Sequence, residues 1–454
     1  MNSINKKIKI AMVSLGCPKN QVDAEMLLAN LGKNDFEITV NLNDCDAVII
    51  NTCGFIESAK QESIENILEC CELKKENKLK CVVVTGCLAQ RYHKDIKEEI
   101  PEVDVCLGIG NNSQISLVIK EYFDNLKNKK QEKIFKKSNV CELPLEGERM
   151  LSTPQFYAYL KIAEGCDNCC SYCAIPSIRG PFRSREKENI IKEAKALANN
   201  GVKELIIIAQ DTTRYGEDLY GQSKLPELLE ELCKIDSLKW IRVLYCYPER
   251  ISDQLIDVIS SQEKIVKYLD IPIQHCNDDI LHKMNRKSNR KQLDILFKKL
   301  KEKCPEIIIR TTLIAGFPTE SENQFENMLE FVRDYKFERL GCFAYSAEEG
   351  TKAAQMEDQI DLEIKQSRAD MIMEKQFDIM SAFNQKQIGK TFEVVCEGFD
   401  KISECYYGRS YMDAPDIDGK IFFTSENTIK QGDFVNVEIN DVLDYDLIGK
   451  TVLV

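Results

Sequence analysis

The sequence predicts an α/β chain in three parts: an N-terminal parallel-sheet α/β domain, a central partial (β/α) barrel and a small C-terminal β-barrel. Three observations predict it. Short apolar runs near the N-terminus are each followed by a polar turn and a helical pattern. The same alternation resumes at Tyr157 and continues for most of the remaining chain. From Gly389 the sequence turns β-rich and is punctuated by glycine, as small barrels are. The length of 454 residues agrees with about three domains.

The first three apolar runs cover 8–15, 47–50 and 81–84, with helical patterns over 23–31 and 57–69. Repeated β–turn–α units imply a parallel sheet, and this domain is expected over 1–124. Lys127, Lys129, Lys130, Lys133, Lys136 and Lys137 then fall within eleven positions. That charge run reads as a solvated connector, 125–151. Strands are expected over 157–162, 202–209, 241–245, 268–273, 307–315 and 339–345, and a long amphipathic helix over 362–383 closes a domain spanning 152–388. The last domain is 389–454. There is no internal repeat beyond this alternation. Gly108-Ile109-Gly110 lacks the rest of a phosphate-loop fingerprint and reads as a turn.

Composition narrows the function. Apolar residues make up 43% of the chain, and no run nears the ~18 apolar residues that span a membrane. The segment 1–10 alternates lysine with isoleucine and has no apolar block of signal-peptide length, so a cytoplasmic protein without membrane attachment is expected. Twenty cysteines, about 4% of the chain, are too few for a disulfide scaffold. In a reducing compartment their recurrent spacings point to metal or catalysis. The only histidines, His93, His275 and His282, argue against a His-rich zinc site or a Ser–His hydrolase. The net charge of −13 is unfavourable for a nucleic-acid binder.

Cys166-Asp-Asn-Cys169-Cys170-Ser-Tyr-Cys173 is the strongest motif. Read as two C-x-x-C pairs it would hold a four-thiolate zinc. Read as Cys166-x3-Cys170-x2-Cys173 it gives three thiolates to a 4Fe–4S cluster and leaves one iron open. An open iron chelates the amino and carboxylate groups of S-adenosylmethionine, and electron transfer into the sulfonium frees a 5′-deoxyadenosyl radical. This second parse resembles the radical S-adenosylmethionine superfamily, whose motif has an aromatic residue before the last cysteine, as Tyr172 is here. Cys169 is then a non-ligand.

Groups at later strand ends would line a cofactor mouth. Gln210 and Asp211 follow the run 202–209, Gln274 and His275 follow 268–273, and Gly316 follows 307–315, with Arg310 inside that strand. These six are the candidate S-adenosylmethionine contacts; no catalytic side chain is singled out.

Cys17, Cys53 and Cys87 each follow one of the three N-terminal strands, and each has a glycine beside it. Parallel strands end on one side, where ligands gather. The three thiols should therefore converge as a second three-thiolate cluster site. The bland reading is three core cysteines, which fits Cys45, Cys70, Cys71, Cys106 and Cys141 as well.

Taken together the chain resembles the methylthiotransferase family of radical S-adenosylmethionine enzymes. Those enzymes join an N-terminal cluster domain, a radical domain and a TRAM-type β-barrel. Ser14-Leu-Gly-Cys17-Pro-Lys-Asn20, Cys173-Ala-Ile-Pro-Ser-Ile-Arg179-Gly180 and Tyr407-Gly-Arg-Ser-Tyr-Met-Asp-Ala-Pro-Asp-Ile-Asp-Gly419 are similar to the branch acting on ribosomal protein S-twelve. Gly316-Phe-Pro-Thr-Glu320 departs at Thr319, where the family has glycine. The resemblance implies two 4Fe–4S clusters, S-adenosylmethionine, an unidentified electron donor and small-subunit ribosomal protein S-twelve, free or in the ribosome, as partner. The implied reaction inserts a methylthio group at the β-carbon of an aspartate. The radical cluster leads to hydrogen abstraction, the N-terminal cluster presents sulfur, and a second S-adenosylmethionine supplies the methyl group.

Charge bears on the substrate. Residues 389–454 hold 6 Lys/Arg and 13 Asp/Glu, a net of −7. A tRNA-binding barrel should be basic, whereas an acidic one favours encounter with a basic protein. Asp413, Asp416 and Asp418 in one loop, and Asp441, Asp444 and Asp446 in another, are expected to be exposed, because isolated buried carboxylates are costly. The rival readings are a tRNA methylthiotransferase and a non-catalytic iron–sulfur electron-transfer or binding protein.

Overall fold

The computed structural model describes residues 7–452 apart from Asp35, Asn77, Gln131 and Pro144, so most of the N-terminal segment read for export signals lies outside the described residues. The chain divides into two compact units. One comprises Met1–Thr153, Lys161–Arg185 and Ser346–Ala354; the other comprises Pro154–Leu160, Glu186–Tyr345 and Gln355–Val454.

In the first unit a six-stranded sheet has the order β2-β1-β3-β4-β5-β6, with β1 Lys9–Ser14, β2 Glu37–Ile38, β3 Ala47–Thr52, β4 Cys81–Gly86, β5 Val105–Leu107 and β6 Ile134–Lys136. All its pairings are parallel. Alternate residues fill two cores. Ile10, Ala47, Ile49, Cys81 and Val83 enter one, and Ala11, Val48, Ile50, Val82 and Val84 enter the other. Both faces are thus covered, as a parallel sheet requires.

The strands end level: Ser14 is opposite Asn51, and Thr52 is opposite Gly86. β3 runs two residues past its apolar stretch because Asn51 and Thr52 are bonded inside. Asn51 donates to the Asn20 carbonyl at 2.8 Å, and the Thr52 hydroxyl donates to the Thr85 carbonyl at 2.5 Å. The helix Pro18–Lys33 starts five residues before its apolar pattern, on Pro18, whose fixed φ suits a first turn. The expected connector 125–151 needs correction: Ile134–Lys136 joins the sheet as an edge strand beside β5, with Ile134 buried.

The second unit contains a six-stranded sheet whose neighbours follow chain order from Arg339–Ala344 through Ile308–Ala315, Ile265–Asp270, Trp240–Val243 and Glu204–Ile208 to Tyr157–Lys161. The strand expected over 268–273 lies three residues earlier, because Pro272 has no N–H for the ladder. The helix Leu362–Gln385 follows, and five strands close a barrel: Thr391–Asp400, Cys405–Arg409, Ile421–Thr424, Asp446–Thr451 and Phe434–Leu443 in spatial order.

The acidic loops are only partly as expected. Asp416, Asp441 and Asp444 are exposed. Asp413 is buried and receives Arg339 through Nε at 2.9 Å and a terminal nitrogen at 2.5 Å. The Asp418 side chain is 3% exposed, 3.4 Å from Arg310, and accepts the Tyr268 hydroxyl at 2.7 Å. Each inward carboxylate has met a cation of the second unit's six-stranded sheet, so the cost that argued for exposure is offset.

Candidate functional site

Cys17 caps the helix Pro18–Lys33, Cys53 follows β3, and Cys87 opens the short helix Cys87–Arg91 directly after β4. Gly16 lets the first loop pass close to the second. A Cβ at Gly16, where φ is +89°, would stand 2.8 Å from Cys53 Cβ and 3.0 Å from its Sγ. Ser63 fixes the Cys53 backbone: its hydroxyl accepts the Cys53 N–H at 3.0 Å and donates to the Cys53 carbonyl at 2.9 Å. Burial pushes the Cys53 thiol up and the Cys87 thiol up to about 12. The neighbouring thiols add to the rise at both, and Arg179 opposes it. Metal binding here must therefore displace protons.

Among the described residues no three His, Cys, Asp or Glu side chains are drawn to the spacing of one metal ion. Thiolates of a 4Fe–4S cluster hold separate irons at separate corners, so they need the wider spacing of a cage.

The central cysteines occupy a loop framed by the antiparallel pair Ala163–Glu164 and Arg183–Ser184. Cys166 and Cys173 are half-buried, Cys170 is buried, and Cys169 is exposed with left-handed backbone, φ 51°. The Cys166 N–H donates to the Gly180 carbonyl and the Cys173 N–H to the Cys170 carbonyl, both at 3.0 Å. Both cysteine triplets belong to the first compact unit.

Two features that local sequence patterns missed also belong to that unit. The first is a buried charge network. Lys161 donates to Asp23 at 2.5 Å and to Glu164 at 2.8 Å. Arg179 donates to Asp23 at 2.9 Å, to Glu164 at 3.0 Å and to Asn20 at 3.4 Å. All four charged side chains are at most 3% exposed. Burial alone would raise the Glu164 carboxyl, but Arg179 and Lys161 hold it well below the usual carboxylate range. The second feature is the segment Ser346–Ala354. Glu348 receives Arg91 at 2.8 Å and Lys60 at 3.3 Å, Arg91 also reaches the Gly54 carbonyl at 3.0 Å, and the Ala353 N–H donates to the Ser171 carbonyl at 2.8 Å. The segment thus clasps loops carrying both triplets. No spacing in the sequence signals Glu348. Among the other cysteines, Cys45, Cys70, Cys71 and Cys106 are buried as expected, whereas Cys141 is exposed.

The six cofactor candidates lie in the second unit. Gln210, Asp211, Gln274, His275 and Gly316 stand just past the carboxyl ends of their strands. Left-handed backbone at Tyr245, Gln274 and Gly316, with φ 62–72°, turns the chain there. Asp211 is buried and accepts Thr213 at 2.6 Å and Arg250 at 3.0 Å. His275 is buried. Its Nδ1 accepts the Asn277 N–H at 2.9 Å, and its Nε2 is 3.3 Å from Glu320. Glu320 also accepts the Gly316 N–H at 3.1 Å and Arg368 at 2.8 Å, tying the His275 and Gly316 turns together. Gln210 and Gln274 are half-buried. Arg310 is not at this edge; it sits near the start of its strand, committed to Asp270 and Asp418, each at 3.4 Å.

Comparison with known proteins covers the chain in three stretches. Residues 9–108 match the family described as Uncharacterized protein family UPF0004, 160–332 the Radical SAM superfamily and 388–452 the TRAM domain. Proteins named "Ribosomal protein uS12 methylthiotransferase RimO" are similar from end to end. The one from Acetivibrio thermocellus is 50% identical over 98% of this chain and 99% of its own. The one from Clostridium botulinum strain Eklund 17B is 51% identical over 98% of each. Among solved structures, the radical S-adenosylmethionine methyltransferase TsrM from Kitasatospora setae is 12% identical with a TM-score of 0.54, over 74% of this chain and 75% of its own. The cobalamin-dependent radical enzyme OxsB has a TM-score of 0.51 at 10% identity, over 82% of this chain and 58% of its own. Both likenesses concern the fold.

Proposed function

The chain belongs to the RimO methylthiotransferase family of radical S-adenosylmethionine enzymes, and from that premise we propose that it inserts a methylthio group at the β-carbon of an aspartate of ribosomal protein uS12. The observation that carries this reading is the pairing of two cysteine triplets in one compact unit of a chain half-identical, over 98% of its length, to such enzymes.

Cys166, Cys170 and Cys173 would hold one 4Fe–4S cluster and Cys17, Cys53 and Cys87 a second. The donor sets fit: the central one offers three thiols from one loop, and the N-terminal one offers three from separate strand ends, with Cys53 and Cys87 buried, Cys17 half-buried and Gly16 close against Cys53. Bound there, such clusters supply the electron that cleaves S-adenosylmethionine and the site from which sulfur is delivered. The residues around them do the rest. The pair Ala163–Glu164 and Arg183–Ser184 fixes the mouth of the central loop, and Glu348 clasps the loops that bear the ligands. Gln210, Asp211, Gln274, His275 and Gly316 would shape the pocket for S-adenosylmethionine, His275 and Gly316 through their shared partner Glu320.

The partner would be uS12, free or in the ribosome. Ribosomal proteins are typically basic, and the exposed Asp416, Asp441 and Asp444 suit such a surface better than a phosphate backbone. No helix among the described residues is long and apolar enough to cross a membrane. The proposed reaction takes place in the cytoplasm and draws its electron from a separate donor. The test is incubation of the cluster-loaded enzyme with S-adenosylmethionine, reductant and either uS12 or tRNA, followed by mass spectrometry. A methylthio mass gain on uS12 aspartate is expected. A gain on tRNA alone overturns the substrate, and no 5′-deoxyadenosine overturns the radical chemistry.

A further inference from the structure

Arg179 lies six residues beyond Cys173 in the chain, yet it ends a helix packed on a cysteine of the other triplet. Its own helix, Ile175–Arg179, carries it there: Ile178 and Ala174 pack with Cys87 in a small buried cluster. The guanidinium is 1% exposed and is bonded to Asp23, Glu164 and Asn20. Burial works against its charge, and Asp23 and Glu164 hold it in place. Asn20, which it reaches, lies in the first turn of the helix that Cys17 caps. The network is balanced, with Lys161 and Arg179 facing two carboxylates, and Arg179 is the member whose helix packs on Cys87.

We propose that Arg179 is the positioning residue of the N-terminal cluster site: clamped by Asp23 and Glu164, it presents its N–H groups and charge to Cys87 and sets how readily a cluster held there accepts an electron. The proposal rests on the assignment of Cys17, Cys53 and Cys87 to a second cluster. Hydrogen bonds and positive charge at a ligand sulfur stabilise the reduced, more negative state and raise its potential. The carboxylate clamp matters because a mobile arginine would exchange the sulfur for water. A merely structural ion network would instead answer only to the loss of its charges.

The experiment uses the full chain with Cys166, Cys170 and Cys173 all replaced by alanine, so that only the N-terminal site remains, reconstituted anaerobically with iron and sulfide. Iron content and the midpoint potential, from a redox titration followed by electron paramagnetic resonance, are compared for this parent and for Arg179→Gln, Arg179→Lys and Lys161→Met added to it. The parent should hold about four irons. Arg179→Gln should lower the midpoint by about 59 mV or more, a tenfold change in the one-electron equilibrium. Arg179→Lys keeps a cation between the carboxylates, so it should fold and shift the midpoint less, in the same direction. Lys161→Met disturbs the same network without touching sulfur and should move the midpoint least. A parent without iron overturns the cluster assignment and the proposal with it. Iron present and an unchanged midpoint in Arg179→Gln overturns the proposal alone, as does a Lys161→Met shift of equal size. Should Arg179→Gln fail to fold, an unshifted Arg179→Lys overturns it.

Discussion

Arg409, the last residue of its strand in the C-terminal barrel, pairs at 2.5 Å with Glu204, the first residue of its strand in the radical sheet, and both side chains are buried. Arg242 adds a second cation to Glu204 at 2.9 Å, and Glu397 a second anion to Arg409 at 2.7 Å. Asp413 with Arg339 and Asp418 with Arg310 repeat the pattern along the following loop. The barrel is therefore riveted to that sheet by inward charges.

Removing one rivet should be expensive. Glu204→Gln leaves Arg242 buried without its anion and Arg409 with Glu397 alone, and breaking such a buried pair costs about 3–5 kcal/mol. Denaturant unfolding should show the loss. The pH profile should change too. Burial raises the Glu204 carboxyl, but Arg409 and Arg242 outweigh it, and the folded value lies below the usual range. Its contribution is then full above the unfolded pKa of about 4.3 and is lost as pH falls toward the folded value. Thermal unfolding from pH 7 to pH 3 should be less acid-sensitive in Glu204→Gln than in the parent.

Cysteine replacement should separate the two sites. Cys17→Ala, Cys53→Ala or Cys87→Ala should keep reductive cleavage of S-adenosylmethionine and lose methylthio product. Cys170→Ala should lose both, and Cys169→Ala, at an exposed position with left-handed backbone, should keep both. Assay of 5′-deoxyadenosine beside product mass gives the answer. Cleavage lost in Cys169→Ala but kept in Cys170→Ala would refute the ligand assignment.

Anaerobic reconstitution of the unaltered chain should yield about eight irons and eight sulfides, two cubanes' worth. About four of each would leave only the central motif as a cluster site.

Charge reversal at Asp416, Asp441 and Asp444 should weaken binding to uS12 and flatten its salt dependence, since these carboxylates are exposed. S-adenosylmethionine cleavage without substrate should not change. Asp413→Lys should behave differently: it sets a second cation against the buried Arg339 and should unfold the chain rather than weaken binding. Titrations at two salt concentrations, beside circular dichroism, distinguish the two effects.

Most of the scaffold is legible because buried parallel strands are written as unbroken apolar runs, as in 47–50 and 81–84, and because cysteines sit where those runs stop. What escapes is what depends on distant partners. Ile134–Lys136 hides in a lysine-rich stretch because Ile134 supplies nearly all of its burial. Asp413 and Asp418 look exposed locally, and the arginines that receive them come from strands far earlier in the chain. Arg179 is visible in its motif, but its clamp to Asp23 spans 156 positions, and no local spacing announces it.

The clasp and the charge network also govern how far the protein can be taken apart. Residues 161–185 fold with the first 153, so the gap between 124 and 152 is no natural seam. A gene split or a protease cut there would leave Asp23 on one fragment, stripped of both its cations, and Lys161 and Arg179 on the other with Glu164 as their one shared anion. Neither half would present its three thiols in the frame that the whole unit builds, and the two proposed sites share one inheritance.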